Sequence, residues 1–203
     1  MEIRPLAVPD SYVLDLVPHG DPRGRFTEWY RADVLAATLG YPLTLAQANH
    51  STSARGVLRG LHFALVPPGQ AKYVYCPTGR ALDVVVDVRV GSPTFGTSDS
   101  VVLDGAAPRA VYLGEGLAHA FLSLADDTSV TYLVSSGYDP GREFGVHPLD
   151  PELALPWPAD VDLQLSAKDQ AAPTLAQARE RGLLPTMDSC AARYAELRAD
   201  GRR

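Results

Sequence analysis

A succession of short apolar or alternating segments, each closed by Gly, Pro or Asp, most limits the folds open to this chain. Such segments fall at Ile3 to Val8, Tyr12 to Val17, Thr44 to Ser51, Gly56 to Ala64, Ala71 to Cys76 and Arg80 to Val90. Others follow at Ser98 to Leu103, Arg109 to Leu113, His119 to Leu124 and Ser129 to Val134. Segments of this length, separated by turns such as Asp21-Pro22-Arg23-Gly24 and Gly91-Ser92-Pro93-Thr94, predict an all-β sandwich or barrel. Helical signals are few. Asp33 to Gly40 reads as a brief helix closed by glycine, and Thr174 to Arg181 is framed by Pro173 and Gly182. Ala191 to Ala199 reads as a second short C-terminal helix, and residues 145–170 as proline-rich and irregular. No repeat and no low-complexity linker divides the 203 residues, so a single domain is expected. Its strand core would end near 165 and a helical segment would run from 170 to 200.

The run from Ala81 to Val90 is the most regular of these segments. Val84, Val86, Val88 and Val90 form one apolar face, while Asp83, Val85, Asp87 and Arg89 form a mostly polar one. Period two of this kind predicts a half-buried strand with Asp83 and Asp87 turned toward solvent or a polar cavity. The segment Arg55 to Lys72 carries His62 beside Arg59 and reaches Lys72 after Pro67-Pro68-Gly69. Val57, Leu58, Leu61 and Phe63 are its burying residues. Strict alternation puts Arg59, Leu61 and Phe63 on one side of the strand, and Gly60 and His62 on the other. A histidine, an arginine and a lysine on adjacent strands suit an anionic substrate whose proton is to be moved. The plainer reading of His62 is a hydrogen-bonded core histidine.

Composition narrows the class of function. Hydrophobic residues make up 46% of the chain, and no apolar run approaches the roughly 20 residues that would span a membrane. The opening residues, with charges and Pro5 and Pro9, do not form the uninterrupted apolar segment of a signal peptide. The two cysteines, Cys76 and Cys190, make no disulfide framework, so a reduced, cytoplasmic protein is expected. A net charge of -6 argues against a general nucleic-acid binder, yet permits a local cationic pocket.

The histidines are His19, His50, His62, His119 and His147, and His119 follows the glycine-rich turn Gly114-Glu115-Gly116. A small β-barrel with His62 and His119 on inner faces resembles a cupin. Metal-binding cupins offer a His-x-His pair, a Glu and a later His. Here the residue two after His62 is Ala64, and no glutamate follows until Glu115. Two histidines without a carboxylate are too few ligands, so no metal is expected.

The motifs GVLRGLHF, PPGQAKYV, DVVVDVRVGSPTFG, YLGEGLAHAFLSL and the later LLP occur in order along the chain. Together they resemble the dTDP-4-dehydrorhamnose 3,5-epimerase family, and the similarity runs from Arg4 to Pro185. That resemblance implies a metal-independent, cofactor-free, cupin-type jelly roll acting on a dTDP-4-keto-6-deoxyhexose, dimeric through exchanged N-terminal strands. It also implies roles for particular residues. The C4 ketone acidifies the protons at C3 and C5, so epimerisation needs a base, a stabilised enolate and an acid on the opposite face. His62 matches the base, and Asp169, in Ser166-Ala167-Lys168-Asp169, matches the carboxylate that orients it. Lys72 matches the group that stabilises the oxyanion, and Tyr132 matches the acid.

For binding, the match carries over Arg23, Arg59 and Lys168 as diphosphate cations, with His119 near phosphate or sugar. Glu28, Gln47, Ala48 and Asn49 match positions that contact the nucleotide or hold the pocket. Tyr138 matches the aromatic that stacks on thymine, Glu143 a further binding position, and Phe26 a residue near the base from a neighbouring subunit. Asp83 is expected to face the cavity and support His62 or Lys72. Singly, each catalytic match has a plainer reading: Tyr132 as a core tyrosine, Lys72 as a surface strand-end lysine, Asp169 as a turn or helix cap. The same base and acid also serve a mono-epimerase acting at C3 or C5 alone. A non-catalytic or metal-dependent sugar-binding cupin is the reading from another class.

Overall fold

The computed structural model describes residues 1–201 as two antiparallel sheets packed face to face. The first sheet is built from β1 (Glu2–Pro5), β2 (Ser11–Asp15), β10 (Arg109–Leu113), β7 (Lys72–Thr78), β12 (Thr128–Val134) and β5 (Gln47–Ser53), in that spatial order. The second runs β13 (Glu143–Gly145), β6 (Val57–Ala64), β11 (Leu117–Ser123), β8 (Arg80–Asp87) and β9 (Ser98–Asp104). A two-residue strand, β14 (Gln164–Leu165), pairs in parallel with Val57 and Leu58 of β6. A separate hairpin of β3 (Pro18–Asp21) and β4 (Gly24–Thr27) closes at the turn read from Asp21 to Gly24.

Between the sheets, Val74, Val111, Leu113 and Val130 of the first meet Val85, Leu103, Leu117 and Phe121 of the second. Both outer faces are covered as well. On the first sheet, Tyr73, Ala110 and Tyr112 pack under Leu35 and Leu39 of α1 (Ala32–Leu39) and under Cys190 and Tyr194 of α4 (Met187–Asp200). Helices as short as α1 do not persist alone in water. Each buried leucine contributes roughly 1.5–3 kcal/mol, which is what holds α1 in place. Gly40 ends it in the left-handed conformation at φ 81, its N–H bonding Ala36 O. On the second sheet, Leu61, Phe63, Val84, Val86 and Ala120 pack under Val146, Leu153, Val161, Leu175 and Ala178 of the C-terminal segment.

That second cover corrects the expectation for Ala81 to Val90. This strand is not half-buried. Its even face lies under the C-terminal segment and its odd face in the sandwich interior, so residues 81 to 87 are all buried. Asp87 faces neither solvent nor a cavity. It is fully buried in an ion pair with the equally buried Arg89, Asp87 Oδ2 lying 3.0 Å from Arg89 Nη2. Arg89 also reaches Asp10, 2.6 Å away.

Helix signals hold, with shifted ends. Thr174 caps α3 (Leu175–Glu180) through a capping box with Gln177. α4 starts four residues before the expected Ala191, because the Thr186 side chain accepts from Ser189 N–H. The irregular segment holds two short elements that no periodicity revealed, β14 and α2 (Ala167–Gln170), and β13 ends where it begins.

Candidate active site

Strand β6 does not alternate strictly. Opposite it on β11, His119 pairs with His62 and Phe121 with Arg59, so Gly60 and Leu61 together oppose the single residue Ala120. This bulge inserts one extra residue between Arg59 and His62 and turns both toward the same cavity, correcting the expectation that they face apart. Glycine is required at the bulge. Gly60 has φ +108, and a Cβ there would lie 2.4 Å from His119 O.

The cavity beneath has a volume of about 470 Å³ and opens between β6, β11, β7, β12 and α2. Arg59, His62, Lys72, His119, Tyr132, Lys168 and Asp169 all line it. A second cavity of about 260 Å³ adjoins it, sharing His62, Lys72 and Tyr132 and adding Gln47, Asn49, Tyr138 and Glu143. Eleven of the fifteen residues singled out from the sequence therefore converge on one connected space.

Each lining group is held by a specific element. β14 docks on the edge of β6 and delivers α2, whose Ser166 cap accepts from Asp169 N–H at 3.1 Å. Asp169, 4% exposed, then meets His62, with Oδ1 lying 2.6 Å from Nε2. Burial pushes the Asp169 carboxyl up, but the hydrogen bond and charge of His62 and the Ser166 hydroxyl outweigh it and hold it below the usual carboxylate range. An ionised carboxylate only accepts, so Nε2 carries the proton and Nδ1 keeps the ring lone pair.

Lys72 opens β7 and pairs with Leu113 and Val134 in the backbone register. It is no surface lysine: it is 7% exposed, and burial brings its ammonium down to about 8, against the opposing pull of Glu143 and Asp83. Tyr132 lies on β12 opposite Asn49. Burial raises its phenol, as does Glu143, while Arg59 acts the other way, so the hydroxyl stays protonated at neutral pH. His119 donates from Nε2 to Asp83 Oδ2 at 2.6 Å. Asp83 is thus bonded to neither of the two partners expected for it; the diagonal neighbour on β11 takes that place. Arg59 is steadied by a 3.2 Å bond to Ser53 Oγ. With both aspartates engaged by histidines, Arg59, Lys72 and Lys168 leave the main cavity positive and suited to an anion.

Four expected binding residues lie elsewhere. Arg23 sits at the tip of the β3–β4 hairpin, paired with Asp21, and Phe26 is 66% exposed on β4. Glu28 lines a separate cavity with His19 and Arg31. Ala48 points outward from edge strand β5, on the face opposite Gln47 and Asn49. In turn, sequence reasoning missed Ser51, Phe121, Gln164, Leu165 and Gln70 as lining residues. Phe121 was findable, two residues beyond His119 on one strand. Gln164 and Leu165 carry no signal, since β14 is too short to show a period. Among the described residues, no three His, Cys, Asp or Glu side chains converge as a metal site. No helix among them is long and apolar enough to cross a membrane.

Comparison with known proteins agrees with this arrangement. Residues 5–177 match the family model described as dTDP-4-dehydrorhamnose 3,5-epimerase. A dTDP-4-dehydrorhamnose 3-epimerase from Streptomyces niveus is 53% identical over 192 residues, covering 95% of this chain and 92% of its own. A dTDP-4-dehydrorhamnose 3,5-epimerase from Streptomyces griseus is 50% identical over 190 residues, covering 94% of each. Among solved structures, ChmJ, a 3'-monoepimerase from Streptomyces bikiniensis in complex with dTDP-quinovose, superposes with a TM-score of 0.94 at 48% identity, over 96% of this chain and 98% of its own. The all-β sandwich is accordingly the cupin-type jelly roll of these neighbours, and the chain belongs to the dTDP-4-dehydrorhamnose 3,5-epimerase family.

Proposed function

We propose that this protein is an isomerase that epimerises dTDP-4-keto-6-deoxyglucose at C3 and C5 without a metal or cofactor. The observation that carries this reading is the sharing of His62, Lys72 and Tyr132 between two adjoining cavities, one cationic and one polar. His62 takes the proton from the carbon beside the ketone, and the C–H electron pair moves into an enolate whose negative charge sits on the C4 oxygen. Lys72, dry and charged below a pH of about 8, stabilises that oxygen more than it stabilises the neutral ketone. Tyr132 returns a proton from the other face, and solvent exchange restores the imidazole and the phenol. Asp169 holds the His62 ring and balances its charge after abstraction. Arg59, Lys168 and His119 bind the diphosphate side, while Gln47, Asn49, Tyr138 and Glu143 take the nucleotide side.

The protein acts as a homodimer in this reading. Arg23 and Phe26 stand on an exposed hairpin outside their own cavity, and Glu28 lies just beyond it, so exchanged N-terminal strands would bring them to a partner's site. The buried, unpaired Cys76 and Cys190 fit a reducing compartment, the cytoplasm.

A second reading is epimerisation at one carbon only. It is favoured by the similarity to ChmJ and to the Streptomyces niveus 3-epimerase, which is as high as that to the double epimerases. Incubation with dTDP-4-keto-6-deoxyglucose in heavy water, read by mass spectrometry and proton NMR, tests both. Deuterium at C3 and C5 is the expected result, and label at one carbon would establish the mono-epimerase. Nucleotide binding without any label would leave a non-catalytic binding protein and overturn the proposal.

A further inference from the structure

Asp83 is 1% exposed in the middle of β8, and its two oxygens are used unequally. Oδ2 accepts from His119 Nε2 at 2.6 Å, whereas Oδ1 is buried with no hydrogen-bond partner among the described residues. A buried carboxylate oxygen is costly unless a cation compensates it. The cation at hand is Lys72, buried on the facing sheet, whose ammonium donates to no group among the described residues and whose basicity the charges of Glu143 and Asp83 raise. We propose that Asp83 is a positioning residue: it fixes the ring and tautomer of His119, and its second oxygen shares with Glu143 the negative charge set against the buried Lys72.

This inference rests on the proposed epimerase reading only for its catalytic consequence. With Nε2 committed to the carboxylate, Nδ1 is the His119 nitrogen left for the ligand, a donor to a phosphate oxygen when the ring is charged and an acceptor for a sugar hydroxyl when it is neutral. The charged and titratable groups around Lys72 are Glu143 on β13, Asp83 on β8, Arg59 and His62 on β6, His119 on β11, Tyr132 on β12, and Lys168 and Asp169 on α2. Glu143 and Asp83 are the ones that raise its basicity; Glu143 accepts from Gln70 Nε2 at 3.2 Å, whereas Asp83 is tied to the cavity histidine His119. One carboxylate therefore couples the orientation of a binding group to the charge of the group beside the ketone.

The test uses the full chain and the variant Asp83→Asn, which keeps the shape and removes the charge. In the wild type, nitrogen NMR of the neutral His119 ring is expected to show the proton on Nε2. A proton on Nδ1 would overturn the proposal whether or not the variant folds. In Asp83→Asn the Nε2-protonated form is expected to be lost, and the Lys72 titration followed by carbon NMR to move to lower pH. The rate of solvent exchange at the sugar is expected to fall by at least about tenfold, and dTDP affinity to weaken as His119 is released. A folded variant with unchanged tautomer and unchanged Lys72 titration would sink the proposal. Both NMR readouts need no substrate, so a wild type inactive on the keto sugar would refute the epimerase reading alone.

Discussion

His62 and His119 are direct cross-strand partners, and each ring is tied through Nε2 to a different carboxylate at 2.6 Å. The two pairs differ in their surroundings. The His62 side chain is 33% exposed and its Asp169 arrives from outside the sheet on α2, whereas the His119 side chain is 8% exposed and its Asp83 comes from the neighbouring strand. A base must trade its proton with the medium in every turnover, which suits the ring that reaches solvent. A buried ring locked to a buried aspartate is a better fixed contact than a proton carrier.

Replacing His62 by Asn is expected to lower solvent exchange at the sugar by roughly 100-fold or more, the usual size of general base catalysis. The circular dichroism spectrum and dTDP affinity should stay as in the wild type, because His62 supplies no apolar packing to the three core clusters. Full exchange in a folded His62→Asn protein would remove His62 as the base.

Tyr132→Phe keeps the ring and deletes the acid. Calorimetry should find nucleotide binding within a few-fold of the wild type, while NMR should find net inversion slowed and deuterium still entering through His62. An unchanged rate together with an unchanged product would show that another group delivers the proton.

The pH profile should separate Lys72 from Tyr132. Lys72 loses its proton near pH 8, while burial and Glu143 keep the Tyr132 phenol protonated through that range. Exchange rates should therefore decline as pH rises through about 8, and Tyr132→Phe should leave that limb in place. The sign for stability is the reverse. A folded value of about 8 against 10.5 in the unfolded chain means that the charged form is disfavoured by folding, by roughly 3 kcal/mol, at every pH below 8. Lys72→Met should then be inactive yet melt several degrees higher at pH 7. A lower melting temperature would show that the ammonium is well compensated in its cavity.

Gly60→Ala tests the bulge. An added Cβ would meet His119 O at 2.4 Å from a backbone at φ +108, so β6 and β11 must shift or part. A loss of about 2 kcal/mol or more in urea unfolding is expected. Exchange should fall with it, because the same shift separates His62 from Arg59. Wild-type stability and rate together would mean that the strand pair accommodates the methyl group without moving its side chains.

Much of the fold and site was legible because it depends on local order. Period-two segments between Gly, Pro and Asp turns specified the main strands, and Gly40, Pro173 and Thr174 marked helix ends that the structure retains. The family resemblance likewise pointed to His62, Lys72, Tyr132 and Asp169, which the fold gathers around one space although 107 positions separate His62 from Asp169. The failures are of another kind. Alternation on β6 broke at Gly60 because a bulge is a property of two paired strands, and one strand's sequence records only the glycine that permits it. The polar face of β8 read as half-exposed because nothing local reveals that a distant C-terminal segment covers its other side.

The sequence by itself determined the strand-rich architecture, the turn positions and the inventory of groups that can move a proton, since residue type and short spacing encode all three. Only the tertiary structure decided which groups share an environment. It gave Asp83 to His119 and Asp169 to His62, drew Lys72 out of water, and left Arg23, Phe26 and Glu28 away from their own cavity. Burial and charge pairing are set by what packs from elsewhere in the chain, and that is the information a linear pattern lacks.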